Sequence, residues 1–233
     1  MNIALILSGG TGTRLGADTP KQYLQVGKKM MIDYCLETLA EHDQIDAIQI
    51  VAEKCWQEVI WDELKKQKIP TEKIRGFSLP GKNRQWSIYQ GLEDIIHYAK
   101  EEDVVLVHDA ARPLLSKELV TRCLNAISGH EGVMPVLPVK DTMYLTTADG
   151  EKIDGLLNRQ RIVAGQAPEV FLLGKYYAAN QCLIPHELDE INGSTEPAVR
   201  AGMDMVIVLG EEQNFKVTTK SDLERFRQMI GDT

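Results

Sequence analysis

Apolar residues fall along this chain in two rhythms, and the alternation between them predicts the architecture. Dense apolar runs at residues 4–7, 45–52, 104–107, 132–137 and 205–209 read as strands, most of them covered on both faces. Between them the spacing turns helical. Met30, Met31, Ile32, Cys35, Leu36 and Leu39 give an amphipathic helix ending near Ala40, and residues 56–66, 117–127 and 175–182 predict three more. Ile88, Leu92, Ile95 and Ile96 mark another, opened by a glycine turn at Pro80-Gly81-Lys82-Asn83 in which Asn83 is the expected cap. A short helix starts at Ser194 and stops at Gly202. The last, carrying Leu223, Phe226 and Ile230, opens on the capping box Thr219-x-x-Asp222. Strand following helix with no hairpin signal implies right-handed βαβ units, hence an α/β fold with a mainly parallel sheet and flanking helices. Residues 166–171 re-enter the core, and residues 214–219 alternate like an edge strand with Lys216 pointing inward.

The pattern breaks once. From Pro138 to Val163 there is no helical period, and Asp149-Gly150 stands between two short β-prone stretches. That predicts a β-hairpin at about 139–163 leaving the main body as a protruding arm. Its Met143, Leu145, Ile153, Leu156 and Leu157 need a surface to bury against, which a second copy of the chain would supply. Everything else fits a single domain over residues 1–233, with no repeat, linker or low-complexity tract.

Composition narrows the partners. With 43% hydrophobic and 26% charged residues in 233, the chain can bury one good core in water. A net charge of −8 and a pI near 5.2 argue against nucleic acid and against anionic membrane surfaces, so an anionic substrate needs a local cationic pocket. Cys35, Cys55, Cys123 and Cys182 are scattered without metal or disulfide spacing, the usage of buried thiols in a reduced cytoplasmic protein. The first strand begins at the N-terminus and no apolar run is long enough to span a bilayer, so a cytoplasmic location is the expectation.

The candidate chemistry starts at the end of the first strand. Leu7-Ser8-Gly9-Gly10-Thr11-Gly12 is a glycine loop whose N–H groups can converge on a phosphate, with Arg14 and Lys21 at its rim. It lacks the third glycine of the dinucleotide fingerprint and the Gly-Lys-Ser/Thr of a Walker loop. The second glycine turn, with Gly81, Arg84 and Ser87, opens a helix and favours an anion or a polar base edge. At the end of the 104–107 strand, Asp109 can meet a ribose hydroxyl, a substrate hydroxyl or Mg²⁺, or simply pair with Arg112. His108 reads as a structural histidine, because no second ligand stands at metal spacing.

Five motifs in order carry a resemblance that spans nearly the whole chain: Gly-Gly-Thr-Gly-Thr-Arg-Leu-Gly, Pro-Lys-Gln-Tyr, Val-His-Asp-Ala-Ala-Arg-Pro, Pro-Val-Lys-Asp-Thr and Asn-Phe-Lys-Val-Thr-Thr. They resemble the methylerythritol-phosphate and ribitol-phosphate cytidylyltransferases. The resemblance implies a Rossmann-like fold, Mg²⁺, a homodimer built by the arm, and transfer of CMP from CTP to a polyol phosphate with release of pyrophosphate. It implies catalytic roles for Arg14, Lys21, Arg159 and Lys216. CTP would be bound by Leu7, Ser8, Gly9, Gly10, Thr11, Gly12, Gly81, Arg84, Ser87, Asp109 and Ala110. The acceptor would lie against Asp109, Arg112, Thr142, Arg159 and Lys216, with Thr142 and Arg159 reaching into the neighbouring subunit, and Asp109 is the candidate metal ligand.

Some positions depart from that pattern. Ala167-Pro168-Glu169 stands for a usual Thr-Pro-Gln, Thr195-Glu196-Pro197 for a usual Thr-Asp, and Tyr144 for a frequent Lys or Arg. They bear on the acceptor, for which methylerythritol 4-phosphate, the isoprenoid-precursor substrate, is the first expectation. Ribitol 5-phosphate, used for cell-wall or capsule polymers, is the alternative. A sugar-1-phosphate nucleotidyltransferase using UTP or dTTP would share the opening loop but not the Asp-Thr and Asn-x-Lys-Val-Thr elements. A non-catalytic CTP-binding subunit would not require all four cations.

Overall fold

The computed structural model describes residues 1–10 and 19–232, so Thr11, Gly12 and Arg14 lie outside the described residues. Strand β1 (Asn2–Leu7) is followed by a small hairpin, β2 (Gln25–Val26) and β3 (Lys29–Met30), and by α1 (Met31–Ala40). Then come β4 (Ala47–Val51), α2 (Lys54–Gln67), β5 (Ile74–Ser78), α3 (Arg84–Ile95), β6 (Val104–Asp109), α4 (Lys117–Ala126) and β7 (Gly132–Pro138). The arm carries β8 (Tyr144–Thr146) and β9 (Ile153–Leu156). The chain returns through β10 (Val163–Gly165), β11 (Glu169–Leu172), α5 (Leu173–Gln181), α6 (Glu196–Arg200), β12 (Met205–Leu209) and α7 (Lys220–Met229).

Strands β5, β4, β1 and β6 run parallel in that order. Next to β6 lies β11, which is antiparallel to both β6 and β7. Strand β12 pairs with β7 in parallel, and β10 pairs with the end of β7 antiparallel. Two layers of helix cover this sheet. On β1, Ala4 and Ile6 face a core shared with Ile32, Leu36 and Leu39 of α1 and Leu64 of α2. Its alternate residues Ile3 and Leu5 face Ile88 and Leu92 of α3 and Tyr176 of α5. Burial on both faces is why the central run of β1, Ile3 to Leu7, is apolar at every position. A smaller core closes α7 onto the β2–β3 hairpin, with Phe226 packed among Val26, Met31 and Val217.

Three details differ from the expectations drawn from the sequence. Strand β5 escapes the hydrophobic pattern, because Arg75 and Gly76 interrupt its apolar run. Residues 215–218 form an irregular segment, not an edge strand: the Val217 N–H donates to Ala111 O at 2.8 Å, and side-chain contacts fix the rest. Cys55 and Cys182 are exposed, whereas Cys35 and Cys123 are buried as expected. The hairpin forms as predicted, with Gly150 at φ +75°, but among the described residues β8 and β9 pair only with each other and leave Ile153 and Leu156 69% and 68% exposed. Among the described residues no helix is long and apolar enough to cross a membrane.

Candidate active site

The carboxyl ends of β1, β4 and β6 open into a cleft of about 560 Å³. Gly9 and Gly10 form one wall, and Gly81 and Ser87 another. The two walls touch: a Cβ on Gly9 would lie 2.3 Å from Pro80 Cβ, so only glycine allows the loops to meet. On the Gly81 side the turn is locked internally. Ser87 Oγ accepts from Gly81 N–H at 3.1 Å and donates to Asn83 O at 2.8 Å, while Asn83 caps α3 by accepting from Trp86 N–H at 2.9 Å.

Pro-Lys-Gln-Tyr supports the first wall from beneath. Gln22 Nε2 donates to Ser8 O at 2.5 Å and to Gly10 O at 2.6 Å, and Tyr23 Oη donates to Ser8 O at 2.9 Å. With those carbonyls held below, the glycine loop keeps its path against Pro80. Lys21 faces the cleft, its ammonium donating to Val217 O at 2.7 Å. The irregular 214–217 segment therefore does two things at once. Its Val217 carbonyl receives Lys21, and Lys216 beside it reaches Asp109 Oδ2 at 3.0 Å.

Asp109 is the electrostatic centre of the floor. Arg84 Nε meets its Oδ1 at 3.0 Å, and Arg112 Nε lies 3.7 Å from Oδ2. Burial alone would raise its pKa, but Arg84, Lys216 and Arg112 together hold the carboxyl far below the usual carboxylate range. Behind Arg84 lies Glu169, a second buried carboxylate 3.8 Å from Nη2, which also accepts from Ser194 Oγ and, at 3.2 Å, from Thr195 Oγ1. Burial pushes Glu169 up, and the neighbouring Arg84 only partly offsets this. His108 is fully buried, its Nε2 paired with Arg112 O, and desolvation lowers its pKa to about 4, so it is a neutral structural residue.

The residues expected from sequence divide accordingly. Leu7, Gly9, Gly10 and Lys21 line the cleft, as do Gly81, Arg84, Ser87, Asp109 and Lys216. Ser8 and Ala110 lie beneath the wall: Ser8 Oγ donates to Val51 O at 2.6 Å, and Ala110 N–H donates to Leu7 O at 3.1 Å. Ala111, not Ala110, borders the space. Arg112 braces the floor, with Nη1 on Asn214 O at 2.8 Å. Thr142 and Arg159 stand off the cleft wall and line a separate hollow at the root of the arm, where Arg159 Nη1 donates to Lys140 O at 2.9 Å. Sequence reasoning gives no role to Glu53 and Lys82, which line the cleft, and marks Glu169 behind it only as a departure from the motif. A lone acid or lysine has no spacing partner to mark it.

Phosphate-receiving loops and convergent cations, with no histidine among the described residues lining the cleft to activate a nucleophile, define a nucleotidyltransferase. Comparison with known proteins narrows that class. The family model for IspD, 2-C-methyl-D-erythritol 4-phosphate cytidylyltransferase, matches residues 2–231, and the chain belongs to that family. It is 34% identical to the 2-C-methyl-D-erythritol 4-phosphate cytidylyltransferase of Thermotoga neapolitana, covering 97% of this chain and 96% of that one. It is 31% identical to the ribitol-5-phosphate cytidylyltransferase of Vibrio parahaemolyticus, over 99% of this chain and 96% of that one. Against the bifunctional enzyme IspD/IspF of Granulibacter bethesdensis it is 34% identical over 98% of this chain but spans only 56% of the longer protein. Among solved structures, the 4-diphosphocytidyl-2C-methyl-D-erythritol synthase of Anaerococcus prevotii superposes with a TM-score of 0.83 at 25% identity, covering 99% of this chain and 96% of that one.

Enzymes of this class work with a divalent cation, and the cleft limits how it could be held. Both Asp109 oxygens are already in ion pairs, so ligating a metal would mean giving one up. Among the described residues no three His, Cys, Asp or Glu side chains cluster as a metal site. That donor set suits a divalent cation carried in on substrate oxygens, with at most one protein carboxylate added.

Proposed function

We propose that this chain transfers CMP from CTP to a polyol phosphate, with 2-C-methyl-D-erythritol 4-phosphate as its acceptor. The observation that carries the reading is the convergence of both glycine walls, Lys21 and Lys216 on one cleft. A phosphate oxygen of the acceptor is already ionised near neutral pH and attacks the α-phosphorus of CTP. The new P–O bond forms as the bond to the β-phosphate breaks, and pyrophosphate leaves. No general base is required. The Gly81–Ser87 turn presents a small, internally fixed polar edge suited to cytosine, and Asp109 faces the ribose. Lys21, with Arg14 beside it in sequence, stabilises charge growing on the α-phosphate. Magnesium on the phosphates would neutralise part of the leaving charge.

Thr142 and Arg159 stand on the arm, away from this chain's own cleft, while Lys216 stands in it. An acceptor phosphate held by both Arg159 and Lys216 therefore draws on two chains, which supports an arm-mediated homodimer. The exposed apolar residues of β8 and β9 supply the contact.

Ribitol 5-phosphate is the second reading, favoured by the Vibrio relative. Pyrophosphate release from CTP and Mg²⁺, measured with both acceptors side by side, tests the proposal. Activity with methylerythritol 4-phosphate and at least a tenfold lower kcat/KM for ribitol 5-phosphate, about 1.4 kcal/mol, is the expected result. The reverse ratio changes the acceptor. No release with either acceptor overturns the assignment.

A further inference from the structure

The cleft floor holds three cations, Arg84, Arg112 and Lys216, around Asp109. One carboxylate cannot balance them, and a surplus of positive charge in a cleft strengthens its hold on a polyanion and slows release. The second carboxylate is Glu169, at the start of β11 and directly across from Val107 of β6. It is 7% exposed and does not border the cleft, so it has no direct path to substrate. Its hydroxyl donors, Ser194 and Thr195, come from the segment before α6 and fix the carboxylate toward Arg84. Arg84 thus spans two carboxylates on adjacent strands, through Nε to Asp109 and Nη2 to Glu169. The two sequence departures at 167–169 and 195–197 prove to be neighbours, joined by the Thr195–Glu169 hydrogen bond.

We propose that Glu169 is a positioning residue that keeps Arg84 committed to the cleft floor and so limits the site's affinity for pyrophosphate-bearing ligands. This rests on the nucleotide reading of the cleft. With Glu169 ionised, the state that its Arg84 ion pair and two hydroxyl donors favour, two carboxylates against three cations leave one positive charge among these described groups, and a neutral side chain at 169 leaves two. Arg84 would then be held by Asp109 alone and could turn its second edge to an incoming phosphate. A purely structural Glu169 predicts the opposite sign, because loosening the floor would weaken binding.

The test is calorimetric binding of inorganic pyrophosphate and of CTP to the full-length chain, wild type against Glu169→Gln and Glu169→Asp. Glu169→Gln should bind pyrophosphate about fivefold tighter or more, with stronger product inhibition, the scale of one added charge partly screened by solvent. Glu169→Asp, which keeps the charge, should return toward wild type. Equal or weaker pyrophosphate binding by a folded Glu169→Gln overturns the proposal. If Glu169→Gln does not fold, the pyrophosphate affinity of Ser194→Ala, which loosens the same carboxylate, decides by the same sign, with Glu169→Asp as the charge-keeping control. Failure of the wild type to bind either ligand would instead overturn the nucleotide reading.

Discussion

Lys21 meets the cleft already oriented, its ammonium on Val217 O, so little rotamer freedom is left to lose when a phosphate arrives. Lys21→Ala should lower turnover about a hundredfold to a thousandfold while thermal unfolding stays close to wild type. Near-full turnover at saturating CTP would remove Lys21 from the mechanism. Asp33 makes a different prediction. It is fully buried and accepts from Met30 N–H at 2.7 Å, and its Oδ1 finds no hydrogen-bond partner among the described residues. Desolvation raises its pKa to about 7. The folded chain therefore holds a proton that the unfolded chain has lost, and Asp33's contribution to stability falls as pH rises from about 4 to about 7. Asp33→Asn keeps the acceptor for Met30 and cannot ionise. It should gain stability over wild type at pH 8, by up to a few kcal/mol, since each pH unit between the unfolded and folded midpoints is worth about 1.4 kcal/mol. At pH 4 it should gain little. Denaturant unfolding at both pH values checks this, and an equal difference at each would refute it. Residues like Lys21 are legible because motif spacing marks them. The burial of Asp33 and the pairing of Glu169 with Arg84 are not, since a buried acid looks like a surface acid until the fold surrounds it.

At the scale of elements the arm is the exposed liability. Ile153, Leu156 and Tyr144 stand in solvent on a hairpin that meets no further strand among the described residues. Mixing an inactive Lys21→Ala chain with an inactive Arg159→Ala chain should restore part of the activity, because some mixed dimers hold one intact composite site. No recovery after subunit exchange, or a monomer in sedimentation at assay concentration, would rule out sharing. The arm is legible from Asp149-Gly150 because a two-sided turn signal is local chemistry. The capping box at Thr219 is legible for the same reason, and Asp222 indeed accepts from Thr219 N–H at 2.8 Å. Strand β5 is hidden by Arg75 and Gly76, and the 214–219 alternation imitates a strand although its residues alternate for other ends. Lys216 turns to Asp109, and Val217 packs against Phe226.

For the whole molecule, the order of sheet and helix follows from hydrophobic rhythm. A site shared between two chains would leave only an indirect trace, the apolar residues of the arm, because both chains carry one sequence. The net charge of −8 surrounds a cationic cleft, so CTP binding works against the mean field and with the local one. Raising salt should weaken CTP binding, steeply at first and then less as screening shortens to a few ångströms. A titration of Kd against ionic strength from low to high salt measures it, and tighter binding at high salt would contradict a cation-held triphosphate.

The bond from Lys21 to Val217 O joins residues 196 apart in sequence. Lys216, Val217 and the α7 helix that follows are made long after Gly9 during synthesis, yet they complete a wall begun there. Closing so long a loop is entropically slow, and its reward comes only once the sheet between is in place. The cleft is therefore expected to be the last part of the molecule to form each time it folds. Refolding from denaturant should restore sheet circular dichroism before CTP binding. Recovery of binding first would mean that the two ends of the chain find each other without the sheet.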